Sequence, residues 1–143
     1  MPVAETLLEK RQLAKLLQSV RANDRETIKK LIANGIANLV NYISVESPDA
    51  ALHLAAKANA DDLVEFLLHL GADPDVVDFH RRSAAMKAAE YGHWQTVEIL
   101  AKAGGNMALT DVEGKGLNLI IYVLLAHARL KKLPPPLKPL SSK

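Results

Sequence analysis

The chain has 143 residues, 24% of them charged, a formal net charge of +2 and no cysteine. That length supports one domain or one compact array with a core of its own. The composition excludes disulfides, thiolate catalysis and cysteine-bound zinc, and so mild a charge leaves no electrostatic footprint for nucleic acid. Aromatic residues are scarce at 4% while Ala and Leu are plentiful, which suits closely packed helices better than a β-sandwich.

Taken in chain order, the opening segment MPVAETLLEKRQLAKLL carries acidic residues and no apolar signal core, so no secretory or transit peptide is expected. A second helical stretch, NDRETIKKLIANG, ends at Gly35. Residues 51–73, ALHLAAKANADDLVEFLLHLGAD, then show two apolar stretches with a polar break. Leu52, Ala55 and Ala56 lie at i, i+3, i+4, and Leu63, Val64, Leu67 and Leu68 at i, i+1, i+4, i+5, both helical spacings. Asn59 sits where the first helix must end and Gly71 where the second must, and both residue types tolerate positive φ. The stretch AMKAAEYGHWQTVEILAKAGGN repeats this pattern. Ala55 maps to Ala88, Ala56 to Ala89, Val64 to Val97, Glu65 to Glu98, Leu67 to Leu100, Gly71 to Gly104 and Asp78 to Asp111, always at an offset of 33. A fixed period in this range marks a stacked array whose units bury their faces only against neighbours. Trp94, just after Gly92 and His93, is expected to pack into the core. A further unit opens at DVEGKG, and beyond LNLIIYVLLAHARLKK the chain becomes LPPPLKPLSSK, which favours polyproline II. The longest apolar run, 119–126, is far shorter than the ~20 residues of a membrane helix, so no membrane insertion is expected.

These residues resemble the ankyrin repeat, whose pattern runs Asp-x-x-Gly-x-Thr-Pro-Leu-His-x-Ala-Ala, Gly-His, Val-Glu-x-Leu-Leu, Gly-Ala-Asp. The match lies at Leu52, His53, Leu54, Ala55, Ala56, Val64, Glu65, Leu67, Leu68, Gly71, Ala72 and Asp73, and again at Ala88, Ala89, Gly92, His93, Val97, Glu98, Leu100 and Gly104. The resemblance implies an all-α ankyrin-repeat solenoid of helix-turn-helix units with degenerate terminal repeats. Its divisions would be an N-terminal helix and degenerate capping repeat (1–46), repeats at 47–77 and 78–110, an incomplete third repeat (111–132) and a Pro-rich tail (133–143). The chain departs from the pattern at its signature. The Thr position holds Ala50 and Ser83, the His position holds His53 and Met86, and the turn Gly is replaced by Pro48 and Arg81. Neither unit is therefore expected to form the shared Thr-His hydrogen bonds in full. LLHLGADPDVVD, AAEYGH, VEILAKA and DVEGKG together look like the opening repeats of ankyrin repeat and EF-hand domain-containing proteins, a family associated with cilia and flagella.

No catalytic constellation is apparent, and no enzyme activity, cofactor or metal is expected. The histidines, His53, His69, His80, His93 and His127, share no metal-ligand spacing with a carboxylate partner. Glu113 to Gly116 lacks the spacing of a phosphate loop, and Asp73, Asp75 and Asp78 lack the central Gly and terminal Glu of a calcium loop. By family geometry the fingers and first helices form a concave protein-binding face. Phe79, His80, Arg81, Arg82, Lys87 and Tyr91 would lie there as a basic, aromatic patch suited to an acidic protein surface. In the tail, Pro136-x-x-Pro139 offers an SH3-type ligand without the flanking basic residues, and LKKLPPPLKPL is similar to the Leu-Pro-x-Pro element of SOCS boxes. The resemblance implies a cytoplasmic, non-enzymatic structural adaptor. It would act in a ciliary or flagellar axoneme with tubulin or axonemal proteins as partners, held by the array and the Pro-rich tail. The alternative is a regulatory adaptor or substrate receptor for a ubiquitin ligase, or an inhibitor of a partner protein.

Overall fold

The computed structural model describes residues 2–121. The Pro-rich tail, its SH3 and SOCS readings and residues 122–132 of the segment 111–132 lie outside the described residues. Within them the chain folds as the expected all-α solenoid, built from helix pairs α1 (Leu7–Arg21) and α2 (Arg25–Asn34), α3 (Ala51–Lys57) and α4 (Asp61–His69), α5 (Ala84–Glu90) and α6 (Trp94–Lys102). A short 3-10 turn spans Leu39–Asn41, and another helix starts at 117.

Local chemistry explains where the helices begin. Thr6 caps α1, its hydroxyl accepting the Glu9 N–H at 3.1 Å, while the Glu9 carboxylate accepts the Thr6 N–H at 3.0 Å. The N–H groups of Thr6 and Glu5, both donating to it, hold the Glu9 carboxyl below its usual range. Asp24 caps α2 and Ser83 caps α5 with one bond each, their side-chain oxygens accepting the Thr27 and Met86 N–H groups. α3 lacks a side-chain cap at Ala50, and His53 substitutes: its Nδ1 accepts the Ala50 N–H at 3.0 Å. The signature bonds are thus divided between units, His53 keeping one half and Ser83 the other. Asn59, Gly71, Gly92 and Gly104 all take positive φ at the helix ends, as their positions suggest.

α1, α3 and α5 pack side by side as an inner layer, and α4 and α6 stack in an outer layer. The inner layer is dense because its facing residues are small. Ala51, Ala55, Ala56, Ala84, Ala85, Ala88 and Ala89 are all buried, with Leu13, Leu16 and Leu17 of α1 continuing the row. Leu63, Val64, Leu67 and Leu100 seal the outer layer onto it. Neighbouring units are also stitched by polar groups. His93 Nδ1 meets the Ala56 carbonyl at 3.1 Å, and Thr96 donates to Asp61.

The first unit is irregular, and two devices anchor it. Asn41 donates to Asn38 Oδ1 at 2.7 Å and accepts the Asp73 N–H at 2.8 Å, tying the 3-10 turn of the first unit to the end of the second. The N-terminal segment runs alongside, with Ala4 N–H to Ile43 O at 2.7 Å and Ile43 N–H to Pro2 O at 3.0 Å. A sequence reading for helices misses this short parallel pairing. Trp94 departs from expectation as well. It is the first residue of α6, where half the turn faces solvent, and it is 44% exposed rather than packed into the core.

Candidate protein-binding surface

Three tight turns form the fingers, and backbone hydrogen bonds define each. In the first, Ser44 and Ser47 exchange N–H to O bonds at 2.9 and 3.1 Å around Val45 and Glu46. In the second, the Arg81 N–H reaches Asp78 O at 2.9 Å around Phe79 and His80. In the third, the Gly114 N–H reaches Asp111 O at 2.9 Å around Val112 and Glu113. Asp78 and Asp111 stabilise the latter two identically, one carboxylate oxygen accepting two following N–H groups, from His80 and Arg82 or from Glu113 and Lys115. At the offset-33 position Gly114 has φ +82 and Arg81 φ +63, so an arginine occupies a left-handed turn position that its neighbour fills with glycine.

Beneath the turns lies a charge network that sequence spacing does not reveal. Lys57 reaches Asp49 at 2.8 Å, and Lys87 lies 3.3 Å from Asp49 and 3.0 Å from Asp78. Arg82 pairs with Glu90 and approaches Asp111 at 3.9 Å. Asp49–Lys57 and Arg82–Glu90 occupy equivalent positions in successive units with the signs reversed. Burial opposes ionisation of Asp49, yet the hydrogen bond from Lys57 and the charge of Lys87 outweigh it and hold the carboxyl below its usual range. The same balance holds for Asp78, where the Arg82 N–H and Lys87 outweigh burial. His53 joins the network from below, its Nε2–H donating to the Arg82 carbonyl at 2.9 Å. Since Nδ1 accepts a backbone N–H, the ring is neutral, and burial pushes its pKa below the ordinary value.

The expected basic, aromatic patch therefore needs correction. Phe79, His80 and Arg81 do project together from the second finger, exposed to solvent. Lys87 does not present a free charge, because its side chain is only 15% exposed and is shared by two carboxylates. Arg82 is likewise engaged with Glu90 and Asp111. The network sets three cations, Lys57, Lys87 and Arg82, against four carboxylates, Asp49, Asp78, Glu90 and Asp111, and Arg81 brings the balance to zero. The face is charge-balanced rather than basic. Tyr91 is exposed but caps the far end of α5, about 10 Å of helix from the finger. There it neighbours His93, with ring centroids 5.8 Å apart. The sequence reading missed Val45 and Val112, which stand at the same turn position as Phe79. The offset of 33 between Phe79 and Val112 is the signal that finds the latter.

Among the described residues no three His, Asp or Glu side chains converge as a metal site, and no helix is long and apolar enough to cross a membrane. Asp75 is used structurally, accepting the Asn106 N–H at 2.6 Å from the next unit's loop.

Residues 16–111 match the family described as Ankyrin repeats (3 copies), in agreement with the three helix pairs. Similar proteins include the Probable E3 ubiquitin-protein ligase XBOS32 of Oryza sativa subsp. japonica, 28% identical over 119 residues, 83% of this chain and 24% of that protein. The Putative E3 ubiquitin-protein ligase XBAT31 of Arabidopsis thaliana is 29% identical over 113 residues, 79% of this chain and 25% of that protein. The human ARF GTPase-activating protein GIT1 is 33% identical over 96 residues, 67% of this chain and 12% of that protein. The chain thus spans about a quarter of the length of the two ligases. Ankyrin repeats are a non-catalytic fold that binds other proteins. With well over half of its length matched and its helix pairs stacked at the family's period, the chain belongs to the ankyrin-repeat family.

Proposed function

We propose that the chain is a non-enzymatic adaptor in a larger assembly, contacting its partner through the finger edge of the array. The observation that carries this reading is the second finger, where Phe79, His80 and Arg81 stand exposed on a turn that Asp78 and the ion network hold rigid. Such preorganisation lowers the ordering cost of binding. Arg82 and Lys87 act as supports, and Tyr91 extends the surface to the far edge of α5. Site-specific photo-crosslinking tests this, with the reactive group at His80 or, as a control, at Glu65 on the outer layer. Partner adducts are expected from position 80 and not from position 65. The reverse pattern refutes the finger edge.

Two settings for the adaptor follow. The ubiquitin-ligase setting is favoured by the names of two relatives, although this chain matches only a quarter of each. The axonemal setting, with tubulin or axonemal partners, rests on the sequence resemblance to ankyrin repeat and EF-hand domain-containing proteins. Affinity purification of the full chain with mass spectrometry separates them. Ubiquitin-ligase subunits support the first, and tubulin with axonemal proteins supports the second.

A further inference from the structure

The first finger is held differently from its neighbours. Asp78 and Asp111 each clasp their turn with a carboxylate. The residue that opens the first turn is Ser44, and Val45, 33 residues before Asp78, is apolar. This turn is closed instead by the exchanged Ser44 and Ser47 backbone bonds and by the Ser47 N–H donating to Ser44 Oγ at 2.9 Å. Its tip protrudes: Val45 is 78% exposed, the Glu46 side chain 64%, and Pro48 is exposed as well.

A hydroxyl stands unused on that tip. Thr6, Ser19, Thr27, Ser44, Ser83 and Thr96 all engage their hydroxyls in hydrogen bonds. Among the described residues Ser47 Oγ has no such partner, and Ser47 is partly exposed. Thr110 is unengaged too, but Asp111 follows it, whereas Pro48 follows Ser47. Ser47-Pro48 is the one Ser-Pro or Thr-Pro step in the whole chain. Proline offers no N–H and keeps the residue before it out of helical backbone, so Ser47 is biased to an extended form. An extended serine with an unbonded hydroxyl and a following proline is what a proline-directed protein kinase takes as its acceptor.

We propose that Ser47 is a phosphorylation site for a proline-directed protein kinase. ATP supplies the γ-phosphoryl group. The bond from Ser47 Oγ to phosphorus forms as the bond from that phosphorus to the β–γ bridging oxygen breaks, ADP leaves, and the hydroxyl proton passes to the kinase's catalytic Asp. The product changes the electrostatics of the edge. Glu46 is matched by Lys10 at 3.5 Å, and Asp49 by Lys57 at 2.8 Å and Lys87 at 3.3 Å, within a network whose charges balance. A phosphate adds about −1.5 to −2 charges at pH 7 and turns the first finger acidic. On the finger-edge reading, that charge favours a basic partner surface over an acidic one, while acceptance of the phosphate does not depend on that reading.

The test incubates the full chain with ATP and a mitogen-activated protein kinase, which requires Pro after its acceptor, and maps the phosphate by mass spectrometry. One phosphate on Ser47 is expected. Ser47→Ala should abolish it, and Pro48→Ala should slow it about tenfold or more. A synthetic peptide of residues 41–54 gives the rate for the same sequence outside the fold. The folded chain should react within about tenfold of that peptide, because a finger without a carboxylate clasp opens at little cost. A folded chain left unmodified while the peptide is phosphorylated overturns the proposal, since the finger then shields its serine. A peptide that is itself left unmodified overturns it at the level of sequence. Phosphate that survives Ser47→Ala, or incorporation indifferent to Pro48→Ala, overturns it as well. Circular dichroism of both variants confirms that the array remains folded.

Discussion

Replacing Arg81 with glycine should stabilise this protein. Arg81 holds φ +63, a left-handed conformation that costs a residue with a Cβ about 1–2 kcal/mol. Glycine removes that cost but enlarges the unfolded ensemble, giving back about 0.5–1 kcal/mol. The Arg81 side chain is exposed and has no carboxylate partner among the described residues, so its removal breaks no native ion pair. The net expectation is a gain of about 0.5–1 kcal/mol, or roughly 2–4 °C in Tm for a chain of this size. Gly114 is the internal control, because it holds φ +82 at the equivalent position and a Cβ there would touch nothing within 4 Å. Gly114→Ala should therefore lose about 1 kcal/mol through backbone strain alone. Urea unfolding followed by far-UV circular dichroism, with the slope m unchanged, measures both. If Arg81→Gly fails to raise the midpoint while Gly114→Ala leaves it untouched, backbone strain does not govern the finger turns.

Two further changes probe the buried network. Lys87→Met leaves Asp49 and Asp78 short of a cation while Lys57 and two backbone N–H groups still serve them. A loss of about 2 kcal/mol is expected, less than for a fully buried pair, and an unchanged urea midpoint would show that the network is ornamental to folding. Acid should act in two stages. His53 is depressed in the folded protein, so the unfolded chain binds the extra proton below about pH 6.5. Stability is complete above that pH and falls beneath it by at most about 1.4 kcal/mol per pH unit. Asp49 and Asp78 are depressed too, so their contribution persists until the pH falls below about 3.9 and through their lower folded values. Urea midpoints measured from pH 7.5 to 5 should decline, and His53→Gln should flatten that decline at the cost of a lower plateau. A flat profile in the parent would contradict the neutral, buried ring.

The sequence by itself determined the period, the helix pairs and their ends. Those features depend on local chemistry: the i, i+3, i+4 spacing of Leu52, Ala55 and Ala56, and the turn-forming Asn59, Gly71, Gly92 and Gly104. Repetition at 33 residues then makes the stack legible, since each unit needs its neighbour to bury its face. The state of the charges was not legible. Lys87 reads as a free cation in the chain, yet stacking carries Asp49 of the preceding unit within 3.3 Å of it, and the finger of its own unit folds back to bring Asp78 within 3.0 Å. Arg82 is likewise held by Glu90, a full helix away in sequence. The exposure of Trp94 and the pairing of the N-terminal segment with Ile43 were also decided by the tertiary structure. Each depends on which side of an element a neighbour covers, and residue types along a single chain do not encode that covering.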